Sequence, residues 1–99
     1  MAKKDENILY EYERLAVWWE DATSHNSWKQ IADAENDVPA ICFSEGYLVK
    51  KGKAFIILTN SFSDDELGDQ MIITKKSIKK IERLGKRKFL KQEFDYKAY

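Results

Sequence analysis

Much of this chain alternates apolar and polar positions with the period of two that a half-buried β-strand shows. In ERLAVWWED the side chains of Leu15, Val17 and Trp19 fall on one face, which predicts a strand over residues 15–22. AICFSEGYLVKKGKAFIILTNSF holds two β-rich runs separated by KKGK. That pattern predicts a hairpin in which Gly52 supplies a positive φ. Gly46, inside the first run, marks a bend or bulge of the kind that lets a sheet curl. After the polar excursion SDDELGD, the segment QMIITKKSIKKIERLG predicts a strand, a tight turn around Lys75 to Ser77, and a last short strand ending near Gly85. Five strongly curved strands with one long connection after the first describe a mainly β protein built as a small five-stranded barrel.

The flanks are less regular. MAKKDEN is polar and expected to fray. In ILYEYER, Ile8, Leu9 and Tyr12 share a helical face, which predicts a short helix or irregular arm up to about Arg14. TSHNSWKQIADAENDVP reads as a long loop holding a short helix: Ser27 and Gln30 have the spacing of a capping box, and Trp28, Ile31 and Ala32 would then face the body. Asn36, Asp37 and Pro39 end that helix. The tail GKRKFLKQEFDYKAY combines Arg87 and lysines with Phe89, Leu90, Phe94, Tyr96 and Tyr99. It suits an anion-binding arm, or a segment packing its aromatics on its own barrel or on a neighbouring subunit, with room for a terminal helix. The division that follows is an N-terminal arm or short helix over 1–14, a β-barrel domain over 15–85, and a basic-aromatic tail over 86–99.

Composition bounds what these elements can do. A chain of 99 residues, 43% hydrophobic and 34% charged, is one ordered domain. At this size roughly 60–65% of the unfolded surface is buried, enough for one modest core but hardly for a deep enclosed active site as well. A site on the surface or at an oligomer interface is therefore favoured. Cys42 stands alone and cannot form an internal disulfide, and no N-terminal apolar run resembles a signal peptide or a membrane span. The chain reads as intracellular, with no membrane partner. The net charge of zero hides an asymmetry: residues 1–49 carry 4 basic and 10 acidic side chains, residues 50–99 carry 13 and 7. The second half suits an anion, unless the halves interleave in the fold and neutralise each other.

VWWEDATSHNSW, residues 17–28, gathers three tryptophans, two acids and the one histidine. Nucleophilic catalysis would need Ser24 and His25 to converge with an acid, yet adjacent residues on an extended chain point apart. A zinc site wants four placed ligands, which His25, Asp21 and Cys42 do not supply. The chain has no Gly-rich phosphate loop, nucleophile elbow or His-Glu-x-x-His motif. No enzyme activity, metal or cofactor is expected. In a structural account, Trp19 packs inward, Trp18 covers the other face or an interface, Asp21 and Ser24 tie down the long loop, and Trp28 pins the helix. In a functional one, Trp18 or Trp28 offers a flat π-face to a nucleobase.

TKKSIKK supplies the other candidate. Thr74, Lys75 and Lys76 on a tight turn concentrate positive potential, the more so if repeated around a ring. Alternatively Lys75, Lys76, Lys79 and Lys80 are solvated edge-strand charges that discourage aggregation. SFSDDELGD lacks the spacing of a calcium loop and reads as polar loop. Cys42 has no activating neighbour and reads as a core or subunit-contact cysteine.

Two resemblances extend this reading. SEGYLVKKGKAFIILTNS followed by MIITKKSIKKIERL resembles the central part of Sm-like proteins, including the bacterial Sm-like RNA chaperone. It departs from them in its long connection after the first strand, and neither the eukaryotic Arg-Gly pair nor the chaperone's Lys-His pair stands here. The resemblance implies an SH3-like or Sm-like barrel forming homo-oligomers, with Thr74, Lys75 and Lys76 on the turn that meets RNA or nucleotide phosphate. WEDATS and PAICFSEGYLV resemble small uncharacterised proteins of bacteriophage genomes, through Trp19, Asp21, Ala22 and Ser24, then Cys42, Ser44, Gly46 and Tyr47. That implies a phage or prophage origin and brings no activity with it.

The expected function is a non-enzymatic oligomeric binding module, phage-encoded and cytoplasmic in an infected bacterial host. It binds RNA or a small nucleotide through Thr74, Lys75, Lys76, Trp18 and Trp28. Sequestering a nucleotide signal of host antiviral systems would need no catalytic residue. The alternatives are a protein–protein interaction module docking a host or phage partner by a barrel edge or the aromatic tail, and a virion or assembly component.

Overall fold

The computed structural model describes residues 7–21, 28–36 and 38–95. Its strands are β1 (Ile8–Asp21), β2 (Ala40–Lys51), β3 (Phe55–Thr59), β4 (Ser61–Phe62), β5 (Leu67–Gly68), β6 (Met71–Thr74) and β7 (Ile78–Leu90). One short helix, α1 (Ile31–Glu35), lies between β1 and β2, and 3-10 turns occupy Lys75–Ser77 and Lys91–Phe94. Five strands form one antiparallel sheet in the order β6-β3-β2-β1-β7, and β4 pairs with β5 alone. The protein is mainly β, and the tight turn falls on the residues that TKKS marked.

Period-two alternation explains the core. Leu15 and Val17 of β1 are buried with Ile56 and Leu58 of β3 and Ile73 of β6, and Trp19, Leu48 and Ile78 pack against them. Val17 is 0% exposed; burying such a side chain contributes about 1.5–3 kcal/mol. Trp19 faces inward as its alternation requires, and its Nε1 donates to Ser44 Oγ at 3.0 Å. Gly46 is where β2 needs no side chain: a Cβ there would lie 2.9 Å from Asn60 Oδ1 and 3.0 Å from the Thr59 carbonyl oxygen.

β1 begins at Ile8, so the arm expected over 1–14 is strand from that residue on. Tyr10 and Tyr12 stand opposite Phe89 and Arg87 in the β1–β7 ladder, and this cross-strand pairing overrides the helical spacing of Ile8, Leu9 and Tyr12. β7 correspondingly runs past Gly85 to Leu90. Glu13 pairs with Lys86 and Leu15 with Arg83, leaving Leu84 and Gly85 across from Arg14 alone, a bulge at which Gly85 takes φ 105°. Gly85, rather than Gly52, is thus the described glycine with positive φ; in the β2–β3 hairpin the Gly52 N–H donates to the Phe55 carbonyl at 2.9 Å.

The sheet is open, with no ladder between β6 and β7 among the described residues, but it curls where the turn joins these strands. Its two edge strands are four strand steps apart, about 19 Å across a flat sheet. The turn joins Thr74 to Ile78, and four residues reach at most about 14 Å. The edges therefore come together at this corner.

α1 is the expected short helix, but its residues face solvent. Gln30 is its N-cap and makes no side-chain capping bond, no α1 residue is buried, and Trp28 is 101% exposed. Five residues are too few turns to carry an apolar stripe onto the sheet. Trp28 therefore does not pin the helix to the body. Ser24, His25 and Ser27 lie outside the described residues, as do Tyr96 and Tyr99. The chain's last described element is a 3-10 turn rather than a terminal α-helix. Its Glu93 carboxylate accepts from the Leu90 N–H at 2.8 Å and from Arg87 at 2.7 Å. Among the described residues no helix is long and apolar enough to cross a membrane.

Candidate functional site: a lysine corner

Register builds the site. β3 and β6 are antiparallel with Phe55 opposite Thr74, so the hairpin turn before β3 and the turn after β6 lie at the same end. The Lys75 N–H donates to the Ala54 carbonyl at 2.8 Å and ties the two turns together. Within the second turn, Ser77 Oγ donates to the Thr74 carbonyl at 2.8 Å, and Thr74 Oγ1 donates to Ser77 Oγ at 3.2 Å. Lys50 Nζ stands 5.3 Å from the centre of the Phe55 ring. Lys75 and Lys76 are thus joined by Lys50, Lys51 and Lys53, and residues 50–62 and 70–81 hold no aspartate or glutamate.

Ion pairing separates this corner from Lys79, Lys80, Arg83 and Arg87 of β7. Along β1 and β7 several cations are matched, Lys79 with Glu20 at 3.1 Å, Lys80 with Glu82 at 3.8 Å, Arg83 with Glu13 at 3.7 Å, and Arg14 of β1 with Glu45 at 3.3 Å, whereas Lys86 and Lys88 of β7 have no carboxylate partner among the described residues. Arg87 meets Glu93 at 2.7 Å. Lys50, Lys51, Lys53, Lys75 and Lys76 have no carboxylate partner among the described residues. Lys79 and Lys80 are edge-strand charges neutralised in place; Lys75 and Lys76 are not. Surface ammonium groups without a carboxylate partner can neutralise phosphates without first giving up an ion pair.

Trp18 lies on the opposite face of β1 from Trp19, where Lys80 Nζ sits 4.8 Å from the ring and Phe43 is 5.0 Å away. Its surroundings are therefore a cation–π and aromatic contact within the chain. Lys80 is two residues beyond Ile78, the residue that leaves the lysine turn and pairs with Trp19. The coiled sheet thus places Thr74, Lys75 and Lys76 at the end of the strand that carries Trp18's partner. Trp28 joins neither group; it lines a shallow depression with Lys29, Gln30, Ile31 and Asp33.

Lys50, Lys51 and Lys53 are the residues that reading TKKSIKK alone misses. The signal for them was present in KKGK, a second basic turn, but only the β3–β6 register says the two turns adjoin. Cys42 is half-buried and pairs with Trp19 across β1–β2. Among the described residues no three His, Cys, Asp or Glu side chains are grouped to hold a metal ion. No protein-family model matches this chain, and no curated protein or solved structure does either.

Proposed function

We propose that this chain is a non-enzymatic binding module that takes the phosphates of RNA or of a small nucleotide on its lysine corner. The observation that carries the reading is the convergence of Lys50, Lys51 and Lys53 with Lys75 and Lys76, five cations without a carboxylate partner among the described residues. Thr74 adds a hydroxyl on the same turn, and Trp18 and Trp28 are the aromatic faces on which a base would stack.

In this reading the coiled sheet is a barrel of the SH3-like or Sm-like kind. The three-residue turn between its two edge strands supports that assignment. The module is a homo-oligomer, phage-encoded and acting in the cytoplasm of an infected bacterium, where holding a host antiviral nucleotide signal needs binding alone. Repetition of the corner around an assembly would raise the local potential without a basic monomer. A protein-docking role is the second reading; it is favoured by the exposed apolar side chains Ile41, Phe43 and Ile72.

Native mass spectrometry of protein purified from cells, followed by denaturation and identification of what is released, tests the proposal. An assembly carrying nucleotide or RNA supports it. A monomer or dimer that carries none, and takes up none when oligoribonucleotides and nucleotides are added, overturns it and moves the weight to a protein partner.

A further inference from the structure

The β4–β5 hairpin creates a second site of opposite character. Its Phe62 packs against Tyr10 and Tyr12 of β1, with ring centres 5.1 and 5.5 Å away, and against Phe89 of β7 at 4.8 Å. Tyr10 Oη donates to the Ser63 carbonyl at 2.5 Å and pins the hairpin turn to the sheet. That turn is closed by the Ser63 N–H on the Glu66 carbonyl at 2.7 Å and by the Glu66 N–H on Ser63 Oγ at 2.9 Å. The rings and the turn line a cavity of about 150 Å³, to which Tyr10, Tyr12, Phe62 and Leu67 bring apolar surface and Asp64, Asp65 and Glu66 bring carboxylates.

The same aromatic cluster already seats one cation from within the chain. The Arg87 guanidinium lies 4.3 Å from the centre of the Phe89 ring, and its Nη2 is 2.7 Å from the Glu93 carboxylate. An aromatic face and a carboxylate clamp it together. Tyr10, Tyr12 and Phe62 with Asp64, Asp65 and Glu66 offer those two components again, and none of these three acids pairs with a basic side chain among the described residues. Burial first, then the charges of Tyr12, Asp64 and Glu93, push the Tyr10 hydroxyl above its ordinary pKa, so the ring that floors the cavity stays neutral in a negative surrounding.

We propose that this cavity binds an organic cation, an alkylammonium or guanidinium group of the kind a lysine or arginine side chain carries. The rings decide the class of cation. A weakly hydrated guanidinium or substituted ammonium gains from π-faces, whereas a small hard metal ion demands a shell of oxygen ligands that three aromatic walls do not provide. The volume decides how much of the ligand enters. A cavity of about 150 Å³ takes a head group and leaves the rest outside, since whole drug-sized ligands occupy roughly 300–1,000 Å³. This site is independent of the lysine corner.

The test follows the Tyr10 and Tyr12 ring signals by nuclear magnetic resonance while N-acetyl-arginine amide, tetramethylammonium or N-acetyl-citrulline amide is added. Citrulline keeps the shape of arginine and lacks its charge. Saturable shifts are expected with both cations and not with citrulline. Asp64→Asn combined with Asp65→Asn and Glu66→Gln should weaken binding about tenfold or more. Tyr12→Leu, which keeps the site apolar, should also weaken it and guards against a loop that merely rearranges. A short arginine peptide binding more tightly than the blocked amino acid would assign the site to a polypeptide partner, and equal binding would assign it to a free small cation. Absence of saturable shifts, equal response to citrulline, or full affinity in the triple variant would each overturn the proposal.

Discussion

Replacing Lys75 and Lys76 by alanine tests the lysine corner against the bland reading that they are ordinary surface charges. Each phosphate neutralised on a single strand adds about 0.7 to the slope of log affinity against log salt. If all five corner lysines meet phosphates, the slope is about −3.5, and affinity falls about 100-fold between about 50 and 200 mM salt. The double variant retains three, so its slope is about −2 and its loss over the same range about 20-fold. Fluorescence polarisation of a labelled oligoribonucleotide across a salt series reads both values. The control is Lys79→Ala with Lys80→Ala: these side chains already stand 3.1 Å from Glu20 and 3.8 Å from Glu82, so their loss should change the slope far less. An unchanged slope in the Lys75/Lys76 variant, an equal flattening in the control, or binding indifferent to salt would refute the argument that ion pairing selects the binding lysines.

Further outcomes follow from packing and local charge. Trp19→Ala should cost about 3 kcal/mol, at the low end for a large aromatic because the side chain is only partly buried, whereas Trp28→Ala should leave urea unfolding unchanged within about 0.5 kcal/mol. Gly46→Ala should cost about 1–3 kcal/mol, because its Cβ would meet the Thr59 carbonyl at 3.0 Å; Gly68→Ala, with only Ser61 Cβ at 3.9 Å, is the neutral control in thermal unfolding. Gly85→Ala has open space but a φ of +105°, so its melting temperature should drop from backbone strain alone. The Leu90 N–H and then Arg87 hold the Glu93 carboxyl below its ordinary 4.5. Its stabilisation is therefore present above that value and is lost as pH falls through the lower folded value. Glu93→Gln should flatten the acid limb of the melting curve as pH falls below 4.5.

The mainly β character, the hairpin around Gly52, the turn at Lys75–Ser77, a short helix ahead of Asn36 and the opposite orientations of Trp18 and Trp19 were legible in the sequence. All are local: they follow from alternation of period two and from turn chemistry within a few residues. The first turn of the chain was not legible, because Ile8, Leu9 and Tyr12 satisfy a helical face as well as a strand. The choice is made by Arg87 and Phe89, more than seventy residues away in the chain, which pair with Tyr12 and Tyr10. Trp28 shows the converse, an aromatic expected to pack on the body that is fully exposed among the described residues.

The same division runs through the candidate site. That Lys75 and Lys76 share a turn with Thr74 is a property of the sequence. Which of the chain's lysines keep their charge available is decided only in the tertiary structure, where β1 places Glu20 and Glu13 beside β7 and, among the described residues, no acid pairs with a lysine of the two turns. Backbone conformation is governed by neighbours in the chain, but Coulomb attraction acts through space. Which charges cancel is therefore settled by strand register, which no local pattern specifies.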